Sequence, residues 1–274
     1  MDTELPLNEL TFTAGSLAQD LAFVALADAS LLFFQDDAPL GLLVGGQMVT
    51  LHAYRWGIGA ELYRESLDTD MGVPPVVLRD ESLGDRLAEL GYVRTSGNTF
   101  AKQLNDFPED IPVTDDRRAV IELLAPAYTS RPRSSVKYGE FAVTEVPGLA
   151  IALLRPSVTV DVTMTRLNKK RLRAPVLLPD EASCLILRVE AWKVRGDDRD
   201  AVDVWRALEI AYRAKVKPEL FQEGPAAELR DPLARDFGSE EAAGVRAALR
   251  GRTMVPTAPV GPRIVALTRN IVAP

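Results

Sequence analysis

One segment, LLVGGQMVTLHAYRWGIGAELYRESLDTDMGV (residues 42–73), constrains the fold more than any other part of the chain. It begins with an apolar run that ends in Gly45 and Gly46, and a stretch with helical features follows. A second apolar run then carries Asp68 and Asp70. This order predicts a buried strand, a glycine turn, a helix and a second strand.

The two aspartates are separated by one residue. Alternate side chains of a strand share a face, so we expect Asp68 and Asp70 to project together and Thr69 to point the other way. Two carboxylates side by side on a partly buried face repel each other unless a cation lies between them. Mg²⁺ takes such hard oxygen ligands when it also holds substrate phosphates.

The glycines suit the same chemistry. A strand that ends in Gly45 and Gly46 and leads into a helix lets backbone N–H groups approach phosphate oxygens without obstruction by a Cβ atom. Each feature alone also has an ordinary explanation, a tight turn for the glycines and a surface motif for the aspartates. Taken together and in this order, they predict a site for a nucleoside triphosphate and a metal ion.

Composition excludes several other chemistries. The 274 residues are 47% hydrophobic, which is enough for one large domain or two small ones. A single cysteine, Cys184, excludes an intrachain disulfide and cysteine-based zinc clusters, and a single histidine, His52, disfavours histidine triads and multi-histidine metal sites. Both residues are expected to pack in the interior. The acidic N-terminus and the lack of a long apolar run predict a cytoplasmic protein with no membrane partner.

Periodicity predicts the remaining elements of the first part of the chain. Residues 13–35 and 80–92 carry apolar residues at helical spacing, and a hairpin is predicted around residues 96–98. A strand is predicted over residues 119–125, where Glu122 lies between apolar neighbours. Residues 141–178 suggest further short strands.

The sequence changes character near residue 178. Amphipathic helical patterns follow, which predicts an α/β core over residues 1–178 and a mostly helical domain over residues 179–274. The last residues, from Val255 onward, are rich in proline and are expected to form a tail. No internal repeat is present.

The chain resembles the nucleotidyltransferase fold typified by DNA polymerase beta, and in particular the AbiEii-like branch that includes MenT-type toxins. The resemblance covers about residues 40–215 and rests on three segments, VGGQMV, RESLDTDMGV and LILRVEAWKVRGDDRDAVDVW. The chain departs from the family pattern at Gln47, where serine is usual, and at Arg188, where lysine is usual. Arginine can still hold a phosphate, and bidentately.

The resemblance implies a mixed sheet flanked by helices and a set of site residues. It implies metal binding by Asp68, Asp70 and a third acid, for which Glu122 is the best candidate, with Mg²⁺ or Mn²⁺ as cofactor. The other residues it implies at the site are Arg188, Asp200, Gly45, Gly46, Gln47, Arg64 and Ser66, with Arg199 and Asp203 completing the motif. Glu122 could instead pair with an arginine, and residues 199–203 could be an ordinary helix start.

The expected activity is transfer of a nucleoside monophosphate from an NTP to a hydroxyl acceptor. The resemblance implies a toxin that acts on the 3′ end of tRNA, with an antitoxin as a possible partner, and no DNA partner is expected. A small-molecule acceptor and a non-catalytic nucleotide- or partner-binding role are the alternatives. The net charge is −7, and the basic run TRLNKKRLR (residues 165–173) is either a solvated hairpin or an RNA contact.

Overall fold

A computed structural model describes residues 5–34, 40–58, 68–107, 117–129, 131–224, 226–251 and 259–273. The chain divides into two compact units. The sheet unit comprises Leu7–Met48 and Glu65–Pro179, and the helical unit comprises Met1–Pro6, Val49–Arg64 and Asp180–Pro274, as far as these ranges are described. The class is mixed α/β with a helical C-terminal part, which confirms the predicted fold class.

The larger sheet of the sheet unit is built around one long central strand. Its strands are β2 (Leu42–Leu43), β3 (Thr69–Gly72), β4 (Val93–Arg94), β5 (Thr99–Gln103), β6 (Arg118–Pro126), β7 (Val136–Tyr138) and β8 (Phe141–Val146). The order is β2-β3-β6-β5-β4, and β8 pairs with both β6 and β7. Strand β6 runs parallel to β3 and β8 and antiparallel to β5. The predicted hairpin around residues 96–98 is confirmed as β4 and β5.

The smaller sheet has the order β1-β9-β10. Its strands are β1 (Glu9–Thr13), parallel to β9 (Ser157–Thr165), and β10 (Arg171–Pro179), antiparallel to β9. Strand β1 alternates strictly between exposed and buried residues, as expected for a sheet with one solvated face. The hairpin predicted for the basic run is confirmed by the pairing of β9 with β10.

One long helix covers strands of both sheets. Helix α1 (Leu17–Phe33) packs on β3, β6 and β10. It begins where the Ser16 side chain accepts a hydrogen bond from the Gln19 N–H, which satisfies one of the free donors of the first turn. Of the apolar pattern in residues 13–35, Leu17–Phe33 thus forms a single helix. The described part of the sheet unit also contains the short helices α3 (Pro75–Leu78), α4 (Ser82–Glu89) and α5 (Leu149–Leu154). Helix α2 (Gly45–Arg55) begins in this unit, and its residues from Val49 belong to the helical unit.

The helical unit contains α6 (Glu181–Arg195), α7 (Asp198–Arg213), α8 (Arg230–Phe237), α9 (Ala243–Gly251) and α10 (Val260–Val272), with 3-10 turns at Pro218–Phe221 and Ala227–Leu229. Helices α6 and α7 pack together, and α10 packs on α7, α8 and α9. Asp180 caps α6 by accepting from the Ser183 N–H, and Gly196, at a φ of 66°, ends it.

The proline-rich tail predicted from Val255 onward is wrong for residues 260–272, which form α10. Pro259 is the N-cap, and Pro262 lies in the first turn, where the missing N–H of proline has no helical acceptor to lose. Ile264, Leu267 and Ile271 then bury one face of the helix. Among the described helices, none has the length and apolar character needed to span a lipid bilayer.

Candidate metal centre

The three predicted acids lie together on two neighbouring strands of the sheet unit. Strand β3 runs parallel to β6 with Asp70 opposite Glu122, and Asp68 immediately precedes β3. One carboxylate oxygen from each of Asp68, Asp70 and Glu122 lies within 4.8 Å of those of the other two, and all three residues are half-buried. The parallel register therefore brings Glu122 to the aspartates, which are 52 and 54 residues away along the chain.

Thr69, between the two aspartates, points into the interior. Its hydroxyl donates to Gln47 Oε1 at 3.0 Å, and Gln47 Nε2 donates to the Ala22 carbonyl at 3.1 Å. Thr69 is fully buried and Gln47 nearly so. The side-chain amide of Gln47 thus joins the first turn of α2 to β3 and α1, which is a structural use of the residue that departs from the family pattern.

Gly45 lies directly against Asp70. It is the first residue of α2 and has a φ of 70°, and a Cβ built on it would lie 1.8 Å from Asp70 Oδ2. The Val44 N–H donates to the Asp70 carbonyl at 2.9 Å, which fixes the backbone of the two segments together. Glycine is therefore required here both for its backbone conformation and for the space that the carboxylate occupies. Gly46, the next residue, also lies in the first turn of α2.

Asn98 is a residue of the site that sequence reasoning missed. Its Nδ2 donates to Glu122 Oε1 at 2.8 Å and to the Leu123 carbonyl at 3.1 Å, and the Leu123 N–H donates back to the Asn98 carbonyl at 2.9 Å. The sequence SGN indicates a turn, and an asparagine in a turn ordinarily bonds its own backbone. Here the side chain instead holds one oxygen of Glu122, in the manner of groups that orient metal ligands.

The arrangement has the chemistry of a site for a hard divalent cation. Three carboxylates at this separation repel one another, and partial burial strengthens the repulsion. A cation such as Mg²⁺ or Mn²⁺ would be held by oxygens of Asp68, Asp70 and Glu122, the ligand type that these ions prefer. The three carboxylates fit such an ion, and Asn98 supports them by its hydrogen bond to Glu122.

Arg188 belongs to the helical unit, where its guanidinium is largely buried. Its Nη1 lies 3.8 Å from Asp203 Oδ2, and Asp203 also accepts from Arg206 Nη1 at 3.1 Å. Arg206 Nη2 donates to Thr50 at 2.9 Å. Arg188 Nε is buried and makes no hydrogen bond to the part of the chain that the structure describes. Contact of this arginine with a nucleotide stays a prediction.

Asp200 also has a partner in the helical unit. Arg195 donates to both carboxylate oxygens of Asp200, with Nε at 2.8 Å from Oδ2. The backbone N–H of Asp200 donates to the side chain of the N-cap residue Asp197 at 2.8 Å. These bonds fit the alternative that residues 199–203 are an ordinary helix start. Arg199 is exposed in the first turn of α7. The remaining predicted nucleotide ligands, Arg64 and Ser66, lie outside the described residues.

The two residues expected to pack in the interior do so. His52 is fully buried, with Nδ1 3.4 Å from Arg55 Nη1 and 3.8 Å from Glu181 Oε1. Arg55 donates to the same Glu181 oxygen at 2.7 Å. Cys184 is fully buried, and this burial raises the pKa of its thiol to about 12, so the sulfur stays protonated and unreactive at neutral pH.

The basic run of residues 165–173 is partly neutralised by acids. Arg166 is buried and donates to Asp20 at 2.8 and 3.1 Å and to Asp106 at 2.7 Å. Asp106 also binds Lys170 at 3.2 Å, and Arg173 lies 4.0 Å from Asp161. The hairpin therefore carries less free positive charge than its sequence suggests.

Comparison with known proteins does not extend these observations. No protein-family model matches the chain, and no curated protein is similar enough to match it.

Proposed function

We propose that this chain is a metal-dependent nucleotidyltransferase that moves a nucleoside monophosphate from an NTP to a hydroxyl acceptor. The observation that carries the proposal is the cluster of Asp68, Asp70 and Glu122 on adjacent parallel strands, with Gly45 at the start of α2 packed against Asp70. Acids on strands beside a glycine-initiated helix combine a cation site with backbone donors suited to phosphate.

The reaction would form a bond between the acceptor oxygen and the α-phosphorus and break the bond from the α-phosphorus to the β-phosphate oxygen. Pyrophosphate leaves, and the acceptor proton passes to solvent. The bound metal would supply positive charge that favours ionisation of the acceptor and stabilises the leaving pyrophosphate. Asp68, Asp70 and Glu122 would hold the metal ion, and Asn98 would orient Glu122 by donating a hydrogen bond to its Oε1.

The N-terminus of α2 would contribute fixed donors for the triphosphate. Helix N-termini attract anions because their first N–H groups have no helical acceptor and the helix dipole is positive there. Gly45 and Gly46 lie in the first turn of this helix and carry no Cβ atom. Arg188 and Arg64 would add positive charge, as the family resemblance implies, and Asp200 is the weakest of the proposed site residues because Arg195 already binds it.

The resemblance further supports an RNA acceptor, namely the 3′ end of tRNA, and a role as the toxin of a toxin–antitoxin pair. A non-catalytic nucleotide-binding protein is the second candidate. It is favoured by Gln47, whose side-chain amide is bonded to Ala22 and Thr69 and replaces a hydroxyl that the family uses near phosphate.

The deciding experiment incubates the purified protein with each α-labelled NTP, Mg²⁺ and total RNA, and follows label in the RNA. We expect one or more NTPs to label RNA, and Asp70→Asn to abolish labelling while leaving the free energy of unfolding unchanged or higher, because it relieves repulsion between like charges.

Glu9→Gln is the matched control, since Glu9 is an exposed acid on β1 in the same unit. It should label RNA at the wild-type rate. If Asp70→Asn retains activity, the acids are structural. If the wild type binds NTP and metal but labels neither RNA nor a small hydroxyl acceptor, the non-catalytic role replaces the proposal.

A further inference from the structure

The chain carries its positive charge unevenly. Its net charge is −7, yet residues 123–139 contain Arg131, Arg133 and Lys137 and no aspartate or glutamate. This stretch begins with the second half of β6, the strand that holds Glu122. A local excess of cations on an acidic protein marks a surface for an anionic partner.

We call the part of this stretch from Tyr128 to Lys137 the basic loop. Its described residues are Tyr128, Thr129 and residues 131–137. All except Val136 are exposed, and the Tyr128 side chain is 68% accessible to solvent. Along the chain this ring is three residues from Arg131, whose side chain is also exposed. The loop therefore presents a ring and cations to solvent together.

The loop is also held in a fixed shape. Arg133 donates from its backbone N–H and from Nε to Glu145 Oε2, both at 3.1 Å, and from Nη2 to Glu145 Oε1 at 2.6 Å. The Glu145 N–H donates back to the Arg133 carbonyl at 2.9 Å, and Thr144 bonds the Ser134 carbonyl at 3.2 Å. Arg133 thus anchors the loop on β8, so a ligand would find it already ordered.

The other two cations keep their charge available. Arg131 and Lys137 form no salt bridge with any described residue, whereas Arg166, Lys170 and Arg173 of the basic run all lie within 4.0 Å of an acid. Lys169 and Arg171 of the hairpin also form no salt bridge with any described residue, so the two surfaces have the same number of unpaired cations. The basic loop differs from the hairpin in its exposed aromatic ring, Tyr128.

We infer that the basic loop binds single-stranded RNA, with Arg131 and Lys137 contacting phosphates and Tyr128 stacking on a base. This combination of an aromatic platform and cations is how proteins hold single strands without sequence readout. A membrane surface would need more exposed apolar side chains than the loop offers in Tyr128 and Pro132. An acidic peptide would satisfy the cations and leave the ring unused.

The inference deepens the proposed function, on which it rests for the identity of the acceptor. Glu122 and Pro126 are four residues apart on an extended strand, about 13 Å. An RNA whose 3′ end lies at the acidic cluster would reach the basic loop within about four to six nucleotides, at the axial spacing of ~3.4 Å for stacked bases. The loop would then hold the acceptor strand just upstream of the reacting end.

The test is fluorescence anisotropy of a labelled oligouridylate with the intact chain, without NTP or divalent metal. We expect Arg131→Ala/Lys137→Ala to weaken binding about tenfold at low salt and to reduce the slope of log affinity against log salt by about 1.4, since each phosphate contact on a single strand contributes about 0.7. Tyr128→Ala should weaken binding about tenfold without changing the salt slope.

Arg171→Ala/Arg173→Ala is the matched control, because it removes the same charge from exposed positions on the hairpin and should change affinity less than twofold. Circular dichroism would verify that each variant is folded. The inference fails if the wild type does not bind oligouridylate, if the control weakens binding as much as the loop variant, or if polyglutamate competes as well as RNA does.

The same measurement separates this inference from the proposed function. Asp70→Asn should bind oligouridylate at least as tightly as the wild type, because the acidic cluster is not needed for binding. RNA binding that depends on the basic loop in a protein with no transferase activity would overturn the proposed function and keep the loop. Transfer to RNA at the wild-type rate in the loop variants would overturn the role of the basic loop and keep the proposed function.

Discussion

Replacing Gly45 by alanine should damage the candidate metal centre through a single added methyl group. The new Cβ would lie 1.8 Å from Asp70 Oδ2, 2.6 Å from its Cγ and 2.8 Å from its Cβ, on a residue whose φ is 70°. Neither the backbone of α2 nor β3 can retreat easily, because the Val44 N–H binds the Asp70 carbonyl between them. The Asp70 side chain must therefore leave its position beside Asp68 and Glu122.

The magnitude has two parts. Left-handed backbone costs a residue with a Cβ about 1–2 kcal/mol, and forcing an extra methyl group into a packed site costs about 1–3 kcal/mol more. Gly45→Ala should therefore lower the free energy of unfolding by about 2–5 kcal/mol. Gly91→Ala separates the two parts, since Gly91 has a φ of 86° but its added Cβ would meet only Lys102 side-chain atoms at 3.8 Å or more. That variant should lose only the backbone part.

Chemical denaturation measures the free energy of unfolding of each variant, and electron paramagnetic resonance measures its affinity for Mn²⁺. Gly45→Ala should be less stable than Gly91→Ala, and of the two only Gly45→Ala should lose Mn²⁺ affinity. Adding Asp70→Ala to Gly45→Ala removes the two closest atoms and should recover part of the lost stability. Equal stability of the two glycine variants, or unchanged Mn²⁺ binding by Gly45→Ala, would refute this account of the site.

Three further expectations follow from the contacts. Asn98→Ala should weaken Mn²⁺ binding about 10- to 100-fold, because Glu122 loses the donor that orients it; unchanged affinity would make Asn98 purely structural. The pKa of Glu145 lies below its usual value of 4.5, chiefly because the Arg133 side chain donates hydrogen bonds to it, so the stability from this pair is present above that value and lost as the pH falls through the lower folded pKa. Wild type should thus be more stable than Glu145→Gln at neutral pH, and a difference that does not shrink as the pH is lowered through the acidic range would contradict this. Arg188→Ala should slow transfer about a hundredfold at saturating NTP, and normal turnover would remove it from the site.

The acidic cluster could be predicted in large part from sequence because its signals are local. Alternation along a strand places Asp68 and Asp70 on one face. The family resemblance implies a third acid, and the apolar neighbours of Glu122 in a predicted strand make it the best candidate. The register that sets Asp70 opposite Glu122 is not a local property, since it depends on how two distant strands pack. The role of Asn98 follows from that register and could not be read from a turn sequence.

Some features of the fold have signals in the sequence, but other sequence features or distant contacts outweigh them. Strand β1 has the alternating sequence ELTFT, yet each of its residues pairs with a residue of β9 that is 152 positions later in the chain, so nothing nearby indicates a sheet. Helix α10 was obscured by Pro259 and Pro262, which act as breakers inside a helix and are tolerated at its start. The sequence of the basic run does not reveal that Arg166 is neutralised, because the acids that pair with it, Asp20 and Asp106, lie far away in sequence.

The bond between Gln47 and Thr69 has a consequence for how this chain can evolve. Both side chains are buried, and within the described residues the Thr69 hydroxyl and Gln47 Oε1 are each other's only side-chain hydrogen-bond partners. Changing either one alone would leave a buried polar atom without its partner, at about 1–3 kcal/mol. Among close relatives, these two positions should therefore be exchanged together, so that a serine at position 47 would be accompanied by a different residue at position 69.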